Sequence, residues 1–591
     1  MGTATTIVPR TYRQYAWSDG SVRSYQQPFA GNPNAWLPST HWQAAKVPFS
    51  TNALGDQGNE AICRIYPRPD SETNTWARHR WFYYDGTTSL PQVIPLGARG
   101  GAFPYVWVVM QAPVNAIVTI GSIYQGGLPS NYYGGYADLT VTPTGSFTNE
   151  TFWVRAYGQD GDFLDFIWTA STVGGYYFDA TTPADSYGFI FLDPVNGTDP
   201  TAYPSTTGLV STISSPIKTL AWAFGSTAGG QTYPNAVIVA RSGTIPAYEQ
   251  ASSGIAFATS ASPSGIMAYP GDTPVIDITN GAAGFCFGWN GPDEDTFLQG
   301  LTFTGIPSGA AASPSTYRYF WQGSPSYRHT QHNLSYPNVF SGYNQANNST
   351  CTYWSGSFTT GYSQYIYLKA VSETGRGNSS NPTNGENYGI ACMYATSRGL
   401  AEFCSVTGAI ATENLYLKAS CIDWTRRGNL LVMSPAHATG GFALSTSNQA
   451  NGNGPSGRLE QCYNVAVNSA PASGAYATRI NAADMDYSDT VEWWYRNSIL
   501  GGPASAYVGS GNGPFYIENE AIDWGGSGAT GPVYYYLNGT GYVDTLPLPS
   551  GLNNSVGTEC QANGGVFDTT TYELTGTYRT NYFGQRGAEI G

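Results

Sequence analysis

Two stretches of this chain bring together an acid, bases and aromatic rings. Tyr367-Leu-Lys-Ala370 is followed by Glu373 and Arg376, and the same four residues recur as Tyr416-Leu-Lys-Ala419, followed by Asp423, Trp424, Arg426 and Arg427. Hydrolysis of a glycosidic bond needs two carboxyl groups about 5–9 Å apart, one of them kept protonated. If the interval from Tyr367 to Tyr416 is two turns of a repeating fold, Glu373 and Asp423 stack two strands apart, near 10 Å at about 4.8 Å per strand. They are the candidate catalytic pair, although solvated turn residues account for the same pattern. Trp424, Arg426, Arg427 and Arg376, with Trp493 and Trp494 further on, suit glycan binding: rings cover sugar faces and guanidinium groups bond hydroxyls.

Other groupings are thinner. Asp160, Asp162 and Asp165 have the spacing of hard oxygen ligands for Ca²⁺, though an Asp-Gly turn explains them without metal; no other cofactor is expected. His329 and His332 could chelate at i, i+3 or lie in an exposed polar loop. A lyase would need a basic residue beside clustered acids, and Asp293-Glu-Asp295 and Asp484, Asp486 and Asp489 are the clusters on offer. The eight cysteines form no CxxC pair, which favours buried thiols over zinc or a disulfide framework. No Ser/His/Asp set, phosphate loop or dinucleotide fingerprint occurs.

Composition narrows the class. Charged residues are 11% of the 591, with 72 Gly, 44 Tyr and 14% aromatics; an average soluble domain carries roughly 25% charge. Solubility must therefore rest on hydroxyls, amides and half-exposed Tyr. A net charge of −14 argues against a nucleic-acid partner. No apolar run is long enough to cross a membrane as a helix, and the first residues carry no basic and apolar leader. Both features fit a virion component.

The elements that must hold these residues are strands. Residues 1–85, rich in Trp, Arg and Pro, read as an anchor region. Over 86–173 short alternating strands separated by Gly and Asn turns predict a β-sandwich: Tyr105-Val-Trp-Val-Val-Met110, Ala116-Ile-Val-Thr-Ile120, Ala137-Asp-Leu-Thr-Val-Thr142, Phe152-Trp-Val-Arg-Ala-Tyr157 and Leu164-Asp-Phe-Ile-Trp-Thr169. Gly100-Gly-Ala-Phe-Pro-Tyr105, the Leu-Thr-x-Thr-Pro-Thr at 139–144 and Tyr157-Gly-Gln-Asp-Gly-Asp162 resemble Ig-like, cadherin-related domains of bacterial and phage surface proteins.

From 174 to 545 the pattern is that of a solenoid. Phe191-Leu-Asp-Pro-Val-Asn-Gly-Thr-Asp199, Ser215-Pro-Ile-Lys-Thr-Leu-Ala-Trp-Ala-Phe224 and Asn235-Ala-Val-Ile-Val-Ala-Arg-Ser-Gly-Thr-Ile245 resemble the opening of pectate-lyase-like right-handed parallel β-helices. There a short amphipathic helix caps the open end, and Ile217, Leu220, Ala221 and Phe224 fall on one such face. Gly584-Gln-Arg-Gly-Ala-Glu589, within 546–591, is similar to the closing segment of the same family. The expected fold is thus all-β: a right-handed parallel β-helix behind an Ig-like sandwich and an anchor.

That resemblance implies a phage surface appendage of the tailspike, fibre or decoration type, located on the virion surface. It would be homotrimeric, joined to other virion proteins through its N-terminal region and bound to host-surface polysaccharide. A glycosidase or polysaccharide lyase of the same fold is the alternative, and a bacterial surface adhesin a further one.

Overall fold

A computed structural model describes residues 12–16, 22–26, 65–67, 81–100, 105–124, 135–157, 163–173, 188–201, 211–223, 236–246, 264–277, 285–287, 293–305, 318–323, 326–337, 349–355, 363–374, 388–394, 396–409, 413–418, 422–433, 442–447, 457–462, 464–468, 476–480, 491–496, 499–501, 507–508, 515–518, 521–523, 535–536 and 542–543. The chain divides into two compact units, Met1–Gly174 and Gly175–Gly591. The predicted closing segment 546–591 lies outside the described residues.

The N-terminal unit begins with an antiparallel hairpin of β1 (Tyr12–Ala16) and β2 (Val22–Gln26). Eight strands follow: β3 (Ile65–Pro67), β4 (Trp81–Tyr83), β5 (Gln92–Gly100), β6 (Val106–Gln111), β7 (Ala116–Tyr124), β8 (Gly135–Pro143), β9 (Glu150–Tyr157) and β10 (Phe163–Val173). They form two sheets, in the orders β3-β5-β8-β7 and β4-β10-β9-β6. Alternation builds the core between them. Phe152, Val154 and Ala156 of β9 are buried and their neighbours are not, as a strand with one inward face requires. Ile94, Leu96, Leu139 and Val141 come from one sheet; Phe82, Trp107, Phe152, Phe166 and Trp168 come from the other. The predicted strands of this region are all present. The sandwich, however, also takes in β3 and β4, residues that the sequence places in the 1–85 anchor, because Phe82 is needed to fill this core.

The second unit opens with the predicted motif, and each of its polar residues has a local job. Asp193 Oδ1 accepts from the backbone N–H of Val195 and Asn196, at 2.9 and 2.8 Å. Burial works to raise the pKa of this carboxyl, but the bonds from Asn196 and Val195 and the nearby Arg241 outweigh it and hold it below the usual range. At Gly197 a Cβ would meet the Ile217 carbonyl oxygen at 2.2 Å, so only glycine fits. Asp199 accepts from the N–H of Lys218 and Thr219, at 2.8 and 3.1 Å, and so caps helix α1 (Leu220–Ala223). Ile217, Leu220 and Ala223 are buried, and the helix packs against the strand Gly188–Leu192. Phe224, expected on the same face, lies outside the described residues.

Beyond α1 the strands pair in parallel with partners one coil away, in two sheets of nineteen and eight strands. Each full coil contributes three strand positions, here called faces A, B and C. Faces A and B belong to the larger sheet; face C is the smaller one. One register row on face A runs Ile190, Ile238, Ile266, Leu298, Gln331, Leu368, Ala401, Arg426. One on face B runs Ile245, Ile276, then Phe303, and onward Tyr336, Glu373, Val406, Leu431. All of these residues are buried, so both rows line the interior. The arrangement is that of a parallel β-helix.

The corner between faces A and B is unusually uniform. Gly300, Asn333, Ala370, Phe403 and Gly428, in successive coils, all adopt positive φ, between 52° and 70°. A left-handed residue reverses the in–out alternation, which lets one strand turn the corner while its sheet pairing continues. For Asn333, Ala370 and Phe403 this conformation costs about 1–2 kcal/mol each. The next interior position is filled by Leu301, Leu334, Val371, Cys404, Asn429 and Asn464. The two asparagines stack: Asn429 donates to Asn464 Oδ1 at 2.9 Å, and Asn464 to the Arg426 carbonyl at 3.0 Å.

Candidate functional site

On face B the outward positions of four coils form two parallel rows, in which seven of the eight residues carry hydroxyls. Thr302, Ser335, Ser372 and Ser405 stack in one. Two residues further along each strand stand Thr304, Pro337, Thr374 and Thr407, the last three paired in register. The residues between the rows, Phe303, Tyr336, Glu373 and Val406, are the buried ones, so strand alternation turns the hydroxyls outward. Thr374 is exposed and the other row members are half-buried. At about 4.8 Å per coil, the four coils extend over about 14 Å. The Ser372 hydroxyl donates to the Leu334 carbonyl at 3.2 Å, which leaves it an acceptor toward anything lying on the face. None of these eight residues is charged.

Across the corner, the outward row of face A is Gln299, His332, Lys369, Glu402, with Arg427 at the next register position. Glu402 accepts a hydrogen bond from the Tyr367 hydroxyl, and Lys369 Nζ lies 3.8 Å from its Oε1. Glu402 is buried, and Lys369 and His332 are half-buried. Burial first, and then the positive charge of Lys369, push the His332 imidazole down to about 4, against a smaller opposing pull from Glu402. His332 is therefore neutral near pH 7.

The expected catalytic pair does not form. Tyr367-Leu-Lys-Ala370 lies on face A, whereas Tyr416 lies on the face C strand Glu413–Lys418. The two copies are thus on different sheets, and their spacing is not a whole number of coils. Glu373 stacks with Val406 and Leu431 in the interior of face B. Asp423 sits on face A, between Ile422 and Trp424, which pair with Ser397 and Gly399.

Two of the expected glycan contacts also face inward. Trp424 is buried, with its indole N–H donating to Thr396 Oγ1 at 3.0 Å, and Arg426 is buried and donates to the Leu415 carbonyl at 3.4 Å. Both lie on the strand Ile422–Arg427 instead of a loop. Trp493 and Trp494 occupy the register positions of Leu459 and Glu460. Arg376 lies outside the described residues, as do Asp160 and Asp162.

Asp165, the third expected Ca²⁺ ligand, is engaged elsewhere. Arg155 binds both its oxygens, at 2.6 and 2.8 Å, and the Trp153 indole adds a third bond at 2.7 Å. The bond from Arg155, ahead of a smaller opposing effect of burial, holds this carboxyl below its ordinary pKa. Among the described residues no group of three or more His, Cys, Asp or Glu could hold a metal ion.

His329 and His332 lie on the strand Ser326–Pro337, three apart and so on opposite faces, which rules out joint chelation. His329 is interior, 2.6 Å from Thr296 Oγ1 and 3.2 Å from Gln331 Nε2, and burial pushes it down to about 3. Cys351 and Cys404 are buried, and burial pushes the Cys404 thiol up to about 12. The hydroxyl rows went unnoticed in the sequence. Their signal is a Ser/Thr on each side of one core residue, recurring at 302–304, 372–374 and 405–407.

The fold and its faces define a parallel β-helix protein with repeating lateral rows. No known family description matches the chain, and no curated protein does. Among solved structures the pectate lyase Pel9A is similar at a TM-score of 0.29 and 12% identity, over 58% of this chain and 80% of that one.

Proposed function

We propose that this chain is a surface protein of a phage particle, a tailspike, fibre or decoration, whose β-helix binds host-surface polysaccharide along face B. The observation that carries the reading is the double row on face B, which over four coils is uncharged and carries hydroxyls at seven of eight positions, with Val275 and Asp277 continuing the rows in the coil before. A repeating polymer is matched by side chains that repeat along one direction, and hydroxyls pair with sugar hydroxyls as donors and acceptors. The low charge and the many hydroxyl and Tyr side chains support exposure outside a cell. In this reading the N-terminal unit joins other virion proteins, and three chains assemble together. By residue type, Arg376, Arg427, Trp493 and Trp494 are further candidate glycan contacts.

The test is binding of the purified full chain to a panel of neutral and acidic capsular polysaccharides and lipopolysaccharides. Each hydroxyl hydrogen bond contributes about 0.5–1.5 kcal/mol. Removing four, by Ser372→Ala, Thr374→Val, Ser405→Ala and Thr407→Val together, should weaken binding about thirty-fold or more. No binding by wild type, or undiminished binding by the variant, defeats the reading.

A second reading, a glycosidase or lyase, is favoured by one observation: the Tyr367–Glu402–Lys369 group on face A joins a phenol, a carboxylate and an amine. A two-carboxylate hydrolase needs a further acid nearby, and the register neighbours of Glu402 in this row, Lys369 and Arg427, are both basic. New reducing ends or unsaturated products, lost in Glu402→Gln, would establish that reading.

A further inference from the structure

One residue of the corner between faces A and B is ill suited to its conformation. The corner row runs Gly300, Asn333, Ala370, Phe403, Gly428, and Phe403 holds a φ of 54°. Glycine adopts that region freely and asparagine enters it more readily than other side chains, but a bulky residue there is an outlier. Gly300 and Gly428 turn the same corner with no side chain at all, so the turn itself does not call for a ring. Strained residues of this kind cluster where a ligand is held.

The place of the ring indicates which ligand. Ala401 and Cys404 are the interior positions on either side of the corner, and the left-handed residue leaves Glu402 and Phe403 as two successive outward positions. The ring reaches along the axis to the next coil: a Cβ on Gly428 would meet Phe403 Cδ1 and Cε1 at 2.7 Å each. Gly428 is buried, and the ring is half-buried. Two residues beyond Phe403 stands Ser405, the last hydroxyl of its row on face B, and its register partner in the next coil is Leu430, also half-buried. The hydroxyl row thus ends against an apolar surface made by Phe403, Gly428 and Leu430. None of these side chains can donate or accept a hydrogen bond, so a polymer that runs past Ser405 must be met there in another way. A sugar ring carries hydroxyls at its edge and C–H groups on its faces, and an aromatic ring with an apolar neighbour matches a C–H face. We infer that Phe403 and Leu430 form a stacking subsite for one pyranose unit at the end of the face B strip. This subsite presupposes that face B binds a glycan, and adds how and where one unit of it is held.

The probe is the polysaccharide of the panel above that the wild-type full chain binds most tightly. Phe403→Gly and Phe403→Asn each place at 403 a residue that the same corner already holds in another coil, and urea midpoints check that both variants fold. Each should weaken binding about ten-fold or more. A ring kept only to cover Gly428 would leave the affinity of both unchanged. That result overturns the subsite, while face B binding still stands or falls on the variant lacking four hydroxyls. Absence of any binding by wild type defeats both. Should neither variant fold, 4-fluorophenylalanine placed at 403 alone in an otherwise wild-type chain decides. Its fluorine resonance should shift when the same polysaccharide saturates the protein, and an unmoved resonance overturns the subsite.

Discussion

Replacing Gly399 by alanine isolates one packing relation of the β-helix interior. Gly399 lies under Trp424 in the register of face A, and a Cβ there would fall 2.2 Å from Trp424 Cζ2, with two more ring atoms at 2.3 and 2.4 Å. The indole has nowhere to go: it is 1% exposed and its N–H is bonded to the buried Thr396 hydroxyl. Overpacking a core costs about 1–3 kcal/mol. Pulling the indole off Thr396 leaves a buried donor unmet, for about 1–3 kcal/mol more. Gly→Ala in an unstrained strand would instead gain about 0.4–1 kcal/mol by restricting the unfolded chain. The net expectation is a loss of about 2–5 kcal/mol. Urea unfolding followed by far-ultraviolet circular dichroism measures it, with unfolding rates as the readout if refolding is incomplete. The decisive arm is the double variant Gly399→Ala with Trp424→Leu. If the clash is the cause, it should cost less than the sum of the singles by about 2 kcal/mol or more. A single variant as stable as wild type, or strict additivity in the cycle, would refute the reasoning.

Three further outcomes follow from the polar groups. Asp199→Ala removes the acceptor for the Lys218 and Thr219 amides and the Thr219 hydroxyl; it should cost about 1–3 kcal/mol and speed proteolytic cleavage around α1. His329 and His332 have folded pKa values pushed down to about 3 and about 4. The unfolded chain, with His near 6.5, therefore binds more protons between those values, and stability should fall as pH drops from 6.5 toward 4. The slope is about 1.4 kcal/mol per pH unit per group, and His332→Gln should lower it by one group's share in urea midpoints measured against pH. Asp165 and Asp193 are held low, so their contribution is present above the ordinary carboxyl range and is lost only as pH falls through their depressed folded values; Asp165→Asn should lower stability at neutral pH and flatten its fall below pH 4.

The framework was legible because its signals are local. Asp193, Gly197, Asp199 and Thr219 act within a few residues of one another in sequence or across a single β-helix opening, and the sandwich strands announce themselves by alternation. The site was less legible because a coil-to-coil register is a long-range quantity. The two Tyr-Leu-Lys-Ala copies look equivalent in sequence, yet unequal coils put one on face A and the other on face C. Arg426 looks like a surface residue by type, and Trp424 beside it like a ring turned toward a sugar. Their strand parity, with a glycine opposite to make room for the indole, takes both inside, where residue type alone predicts the reverse for Arg426.

The left-handed corner gives the fold an asymmetric tolerance to inserted and deleted residues. From Gln299 to Thr302, His332 to Ser335, Lys369 to Ser372, Glu402 to Ser405 and Arg427 to Leu430, the passage from face A to face B has the same length in five successive coils, whereas the two coils before them take longer, from Val239 to Thr244 and from Met267 to Val275. The connections at the other two corners vary freely from coil to coil. One residue added there need not disturb the strands it joins. The same residue added between faces A and B would invert every position beyond it on that strand, sending hydroxyls inward and core residues out. In these five coils a change of length is therefore better tolerated at the other two corners than at the third.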